Sequence, residues 1–198
     1  MTASRLETFS DGVIAIIITI MVLELGIPHG VAIDALRPLV PVFLAYALSF
    51  VNLGIYWNNH HHMLSTVEHV NGAILWANLH LLFWLSLFPF MTGWMGENEF
   101  SSLPVAFYGT VSFLAAIAYF ILQRTIIADQ GDGSRLAAAV GRDIKGKVSP
   151  ILYLGGIAFA YPNRWISLAL YLVVELMWLV PDRRMEAAVR TNSERRFG

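Results

Sequence analysis

The sequence predicts an all-α integral membrane protein of six transmembrane helices, with the N- and C-termini on the cytoplasmic side. Three observations carry that reading. Of its residues 57% are hydrophobic and only 14% charged, too little charge to solvate a soluble domain of this size. The apolar residues gather in runs comparable with the ~20 helical residues that cross a hydrocarbon core. Of the thirteen Lys and Arg, only Arg37 and Arg164 fall on the outer side when the N-terminus is placed inside, an asymmetry that sets orientation. An odd number of spans would carry the basic tail to the wrong face.

One transmembrane domain fills residues 1–198, with spans at about 6–26, 36–57, 74–95, 103–127, 148–161 and 165–180 and a cytoplasmic tail over 182–198. The first begins after Arg5 and runs apolar from Val13 to Leu23, until Glu24 and the Gly26-Ile27-Pro28-His29-Gly30 segment end it. Glu24 and the absence of a small-residue cleavage site argue against a signal peptide. Pro89 predicts a kink in the third span. The acidic Gly96-Glu97-Asn98-Glu99 loop joins it to the fourth on the outer side. The inner loop before the fifth span has no Walker-type spacing, and Ser134 predicts the cap of a short surface helix to Val140. The last two spans reach only about 21 to 24 Å, so they need a thinned bilayer or neighbours. A re-entrant hairpin around Pro162 is the competing arrangement.

Other classes are narrowed by composition. There is no cysteine, which removes disulfides and thiolate metal sites. No basic face exists for nucleic acid. No internal duplication is apparent, so a closed pore requires several copies of the chain.

On a 3.6-residue period, Ile16, Ile20 and Leu23 share one narrow stripe of the first helix, and Thr19 sits beside it. Asp11 projects away from that stripe. A buried helix with a serine near its start would satisfy the same periodicity. A carboxylate in or near the membrane needs a donor. Arg5, six positions away and a third of a turn off, is poorly placed. Trp57, Asn58, His60, Asn78 and His80 are the donors on other helices.

Arg5, Phe9, Ser10 and Asp11 spell R-x-x-x-F-S-D, and with this motif the chain resembles the transmembrane protein 175 family of potassium channels in its single-repeat bacterial form. The resemblance runs over the whole chain in length and helix pattern. It implies a homotetramer in the cell membrane whose pore is lined by the first helix of each subunit, without a TVGYG filter. It places Ile16, Thr19 and Leu23 among the pore-lining residues. It also implies that Arg5, Phe9, Ser10 and Asp11 tie this helix to its neighbours rather than bind ions.

If four copies meet on an axis, Ile16, Ile20 and Leu23 form stacked apolar rings that gate by dewetting. Thr19 then offers a layer of hydroxyls for modest selection of potassium over sodium. Glu24 is expected at the outer mouth, where acidic groups concentrate cations. Permeant potassium is the only cofactor implied. Two other classes compete. A proton- or ion-coupled transporter would use a relay such as Asp11, His80 and Glu175, although internal repeats and broken midplane helices are missing. A metal-dependent membrane enzyme would rest on His60, His61 and His62 with Glu68 and His69. Adjacent helical residues turn by about 100°, so three neighbouring histidines cannot face one metal, and no metal ligand set is expected. Asn78, His80 and Glu175 are expected to hydrogen-bond between helices.

Overall fold

The fold is seen in a computed structural model, which describes residues 2–179 except 68, 132 and 142. The predicted tail and Glu68 lie outside the described residues. Helix α1 spans Ala3–Met21 and continues as a tighter 3-10 turn over Val22–Leu25. Gly26, at φ 64°, ends it in a conformation that costs a glycine little. A 3-10 segment over Ile33–Leu39 leads into α2, Val40–Leu64. Then come α3 Gly72–Leu85, α4 Phe88–Glu97, α5 Ser102–Gln130, α6 Arg135–Val140, α7 Ile144–Phe159 and α8 Arg164–Leu179.

Among the described residues, four segments are long and apolar enough to cross a membrane: Ala3–Leu25, Ile33–Leu64, Gly72–Glu97 and Ser102–Gln130. Helices α7 and α8 are described over 16 residues each. Helix α7 begins at Ile144 and α5 ends at Gln130, a few residues outside the expected bounds, and three further differences have a physical reason. Helix α2 runs seven residues past Trp57 to Leu64, because His60 and Met63 are buried and keep the helix packed beyond the apolar run. The third span is two helices rather than one kinked rod. It breaks at Ser86 and Leu87, and Pro89 stands in the first turn of α4, where its missing N–H leaves no helix bond unmade. The 3.6 period of α1 ends at Met21, so Leu23 belongs to the 3-10 turn. The short helix α6 forms as expected, with Ser134 Oγ accepting from the Ala137 N–H at 3.3 Å.

Side-chain pairs show how the rods alternate. At one end Trp57 meets Asp11, Asn71 meets Asp129, and Trp178 meets Ser149. At the other, Thr92 meets Met21 and Phe100 meets Trp165. Helix α5 packs against α3, α4, α7 and α8, whereas α1 packs against α2, α3 and α4.

Close packing in the α5–α7–α8 half turns on Tyr171, which is fully buried. Its ring lies where two glycines let backbones approach. A Cβ on Gly109 would overlap the Tyr171 hydroxyl, and one on Gly156 would overlap the ring carbon Cε1. Ser167 Oγ, one turn away, donates to the Gly156 carbonyl at 2.6 Å. Small residues do this work where apolar surface alone gives helices no reason to associate. Gly109→Ala and Gly156→Ala should each destabilise the protein by about 1–3 kcal/mol through overpacking. Thermal unfolding in detergent checks this: adding Tyr171→Phe should recover part of the Gly109→Ala loss and none of the Gly156→Ala loss.

Candidate functional site

Helix α1 has two faces. Leu6, Ser10, Ile14, Ile17 and Met21 recur every three or four residues and are buried against the rest of the chain. The opposite face carries Phe9, Ile16, Thr19, Ile20 and Leu23. Ile16 is 58% exposed, Ile20 42% and Leu23 76%, so the stripe and the adjacent threonine point away from the rest of the chain. Thr19 Oγ1 donates to the Ile16 carbonyl at 2.9 Å, which leaves the oxygen's lone pairs free to face outward.

Beyond the stripe, Glu24 lies against α4, where a Cβ on Gly93 would come within 2.7 Å of Glu24 Oε2. Only glycine admits the carboxylate at that distance. Glu24 and Glu97 line a groove of about 730 Å³ with Ile16, Ile20, Phe90 and Trp94. Both acids thus stand at the end of the exposed face where Leu23 lies.

The buried face is held by polar links. Ser10 Oγ donates to the Leu6 carbonyl at 2.8 Å and accepts from Asn78 Nδ2 of α3 at 2.9 Å. Asn78 Oδ1 therefore accepts, and His60 Nε2 of α2, 2.7 Å away, must carry the proton that it donates. Ser10, Asn78 and His60 are all fully buried. A second link lies nearer solvent: Trp57 Nε1 donates to Asp11 Oδ1 at 3.0 Å. One turn back, His61 Nδ1 stands 2.8 Å from Glu7 Oε1. Glu7, Asp11 and His61 bring their ligand atoms within 4.8 Å of one another, an arrangement whose atoms already satisfy one another or Trp57.

Several expectations are corrected here. His80 does not join the motif. It is exposed on α3, where Trp84 Nε1, one turn along the same helix, donates to His80 Nε2 at 2.9 Å. Arg5 is exposed and finds no hydrogen bond or ion pair among the described residues. Of the expected ties, Ser10 and Asp11 make theirs to other helices of the same chain, while Phe9 lies on the exposed face. Among the described residues Glu175 makes no hydrogen bond to another helix; it lies beside a cavity between α2, α5, α7 and α8. The supposed relay of Asp11, His80 and Glu175 is therefore scattered over three separate surroundings. The histidine run splits as the 100° step requires, with His60 inside and His61 turned to Glu7.

Sequence reasoning missed Glu7, although it stands one helical turn before Asp11 on the same face. It also missed the buried chain in which Thr92 Oγ1 donates to Ser49 Oγ at 2.6 Å, and Ser49 lies 3.3 Å from the Tyr108 hydroxyl. Short hydroxyls in apolar spans left no pattern by which to find it.

A family profile described as "Endosomal/lysosomal potassium channel TMEM175" matches residues 5–89, the stretch containing the motif, the exposed face and the Asn78 link. A potassium channel of Chryseobacterium sp. is 52% identical over 97% of this chain and all of its own length. The chain belongs to the TMEM175 family. A potassium channel of Streptomyces collinus is 34% identical over 59% of this chain and 61% of its own. The crystal structure of a lysosomal potassium-selective channel TMEM175 homolog from Chamaesiphon minutus superposes with a TM-score of 0.80 at 26% identity, covering 91% of this chain and 97% of that one. With its long apolar helices, this TMEM175 member is a multi-pass membrane protein.

The two links differ in burial, and their loss should differ accordingly. Asn78→Leu leaves the His60 N–H without an acceptor in a buried place and should cost about 1–3 kcal/mol. Trp57→Phe removes a bond near solvent and should cost less. Comparing unfolding temperatures of the two variants checks the order.

Proposed function

We propose that four copies of this chain assemble around an axis as a potassium-selective cation channel, with α1 of each subunit lining the pore. Each subunit crosses the membrane six times, α7 and α8 supplying the two short spans, and keeps both termini in the cytoplasm. The observation that carries this reading is the exposed face of α1, which has a threonine beside its apolar stripe and a carboxylate just beyond it. The names of the relatives support the same conclusion.

In the tetramer Ile16, Ile20 and Leu23 become stacked apolar rings. A narrow apolar passage empties of water, and an ion cannot cross it without its hydration shell. Opening is a rotation or splaying of α1 that widens the rings. Four Thr19 oxygens then replace part of a cation's hydration. With no cage of backbone carbonyls, potassium is preferred over sodium only modestly. Glu24 and Glu97 at the outer mouth raise the local cation concentration. Ser10 and Asp11, with Trp57, His60 and Asn78, hold the helix in place. The reading involves no catalytic step and no cofactor beyond the permeant ion.

Flux from purified protein in liposomes, driven by a potassium and then a sodium gradient, tests the proposal. Fast, uncoupled flux favouring potassium is expected; transport that requires a proton gradient would replace the channel with a coupled carrier. Thr19→Val keeps the shape and removes the oxygen, so the potassium-to-sodium ratio should fall toward one. Ile16→Ala thins an apolar ring and should raise resting flux. An unchanged ratio in the first variant would remove Thr19 from selectivity.

A further inference from the structure

Where α1 and α2 face each other beside the Trp57–Asp11 bond, Glu7, Asp11 and His61 gather side chains whose ligand atoms all lie within 4.8 Å of one another. We propose that this set binds a zinc-like divalent transition-metal ion, which bridges α1 to α2. The set takes one imidazole from the histidine run and both carboxylates from another helix. Neighbouring residues of the run, turned by about 100° from one another, could not supply it.

Two pairs, each one helical turn apart, build the site. Glu7 and Asp11 lie on α1, Trp57 and His61 on α2, and each pair shares a helix face. All three ligand residues are half-buried, sheltered enough to be held and open enough for an ion to enter. The tryptophan mounts two of them. Its Nε1 donates to Asp11 Oδ1 at 3.0 Å, and its ring stacks on that of His61 at 28° with centroids 6.2 Å apart. Metal sites fix the orientation of a ligating carboxylate by such a hydrogen bond from outside the coordination sphere.

Charge and donor type specify the ion. Among the described residues neither carboxylate pairs with a lysine or an arginine; the nearest basic group is His61 Nδ1, 2.8 Å from Glu7 Oε1. A divalent cation balances both acids at once. One imidazole nitrogen with two carboxylates suits zinc and its first-row neighbours, whereas magnesium and calcium take oxygen ligands. On binding, Nδ1 gives up the proton it shares with Glu7, to its own Nε2 or to solvent, and turns its lone pair to the metal. Zinc holds these ligands at about 2.0–2.2 Å, which sets neighbouring ligand atoms about 3.4 Å apart in a tetrahedron with water in the fourth position. The His61–Glu7 pair therefore opens by roughly half an ångström, a shift that half-buried side chains absorb by small torsions. A metal here ties α1 to α2 and opposes the rotation of α1 proposed to open the pore. That consequence rests on the channel reading; the binding does not.

Titration calorimetry of the untagged full chain in detergent, with zinc chloride in a buffer that does not chelate metals, tests the site. Saturable binding of one zinc ion per chain is expected, with a raised unfolding temperature and no displacement by a tenfold excess of magnesium. Glu7→Gln and His61→Gln leave the Ser10–Asn78–His60 link intact, and each should weaken binding at least tenfold. His80→Gln removes an exposed histidine outside the set and should leave the affinity unchanged. Cobalt loaded in place of zinc should show the visible absorption of a four-coordinate site, lost in Glu7→Gln and His61→Gln. No saturable binding, equal affinity for magnesium, or unchanged affinity in a folded Glu7→Gln or His61→Gln would overturn the proposal. An equal loss in His80→Gln would overturn it as well. None of these readouts involves ion flux, so they succeed or fail separately from the channel reading.

Discussion

Apolar side chains gain nothing by leaving lipid for a neighbouring helix, so α1 cannot be held in place by its leucines and isoleucines alone. What fixes it is the buried line from Ser10 through Asn78 to His60, which joins α1, α3 and α2 by hydrogen bonds of 2.9 and 2.7 Å. Measured links of this kind in membranes average about 0.6 kcal/mol, yet breaking one strands its partner where no water replaces it. The link therefore specifies position and rotation more than it adds stability. Once Ser10 is turned inward, the helical period turns Ile16 and Thr19 outward.

The two halves of the bundle solve the packing problem differently. The α5–α7–α8 half uses glycines under a tyrosine ring and a serine, Ser167, that bonds backbone across helices. The α1–α2–α3 half uses side-chain amides and imidazoles, and it leaves one face of α1 without a neighbour in its own subunit. The face on which ions are proposed to pass thus belongs to the helix that touches fewer partners, α2, α3 and α4, than α5 does. A gate that works by helix rotation is best built on such an element. The polar cavity beside Glu175 lies in the more tightly packed half, separate from that motion.

Much of this was legible in the sequence. The long apolar runs marked the four segments that, among the described residues, are long and apolar enough to cross a membrane. The R-x-x-x-F-S-D motif pointed to Ser10 and Asp11, whose partners could be narrowed to polar residues on other helices. His80 was misplaced because residue type alone cannot say which way an imidazole points; two positions after Asn78 it faces away from the buried link. Glu175 was expected to bond a neighbouring helix, but among the described residues no other helix makes a hydrogen bond to it. The end of α2 was placed too early because polarity in the Asn58–His62 run looked like a boundary. In fact, His60 is inside and the helix continues around it. The Glu24–Gly93 approach was hidden for another reason, since a glycine in an apolar span does not reveal what will lie against it.

The change of helix type after Met21 alters how the outward face should be mapped. An α-helix advances about 1.5 Å and 100° per residue, while a 3-10 turn advances about 2.0 Å and 120°. Across Val22–Leu25 the chain therefore climbs faster and winds tighter than below it. Leu23 is thereby carried round by about 20–40° relative to an α-helical course, toward the line through Ile16 and Ile20, and Glu24 moves with it. A residue-by-residue accessibility scan along α1 would show one rhythm as far as Met21 and a quicker, three-residue rhythm after it. Relaxing those four residues into α-helix would swing Leu23 around the helix axis while Ile16 and Thr19 stayed where Ser10 holds them.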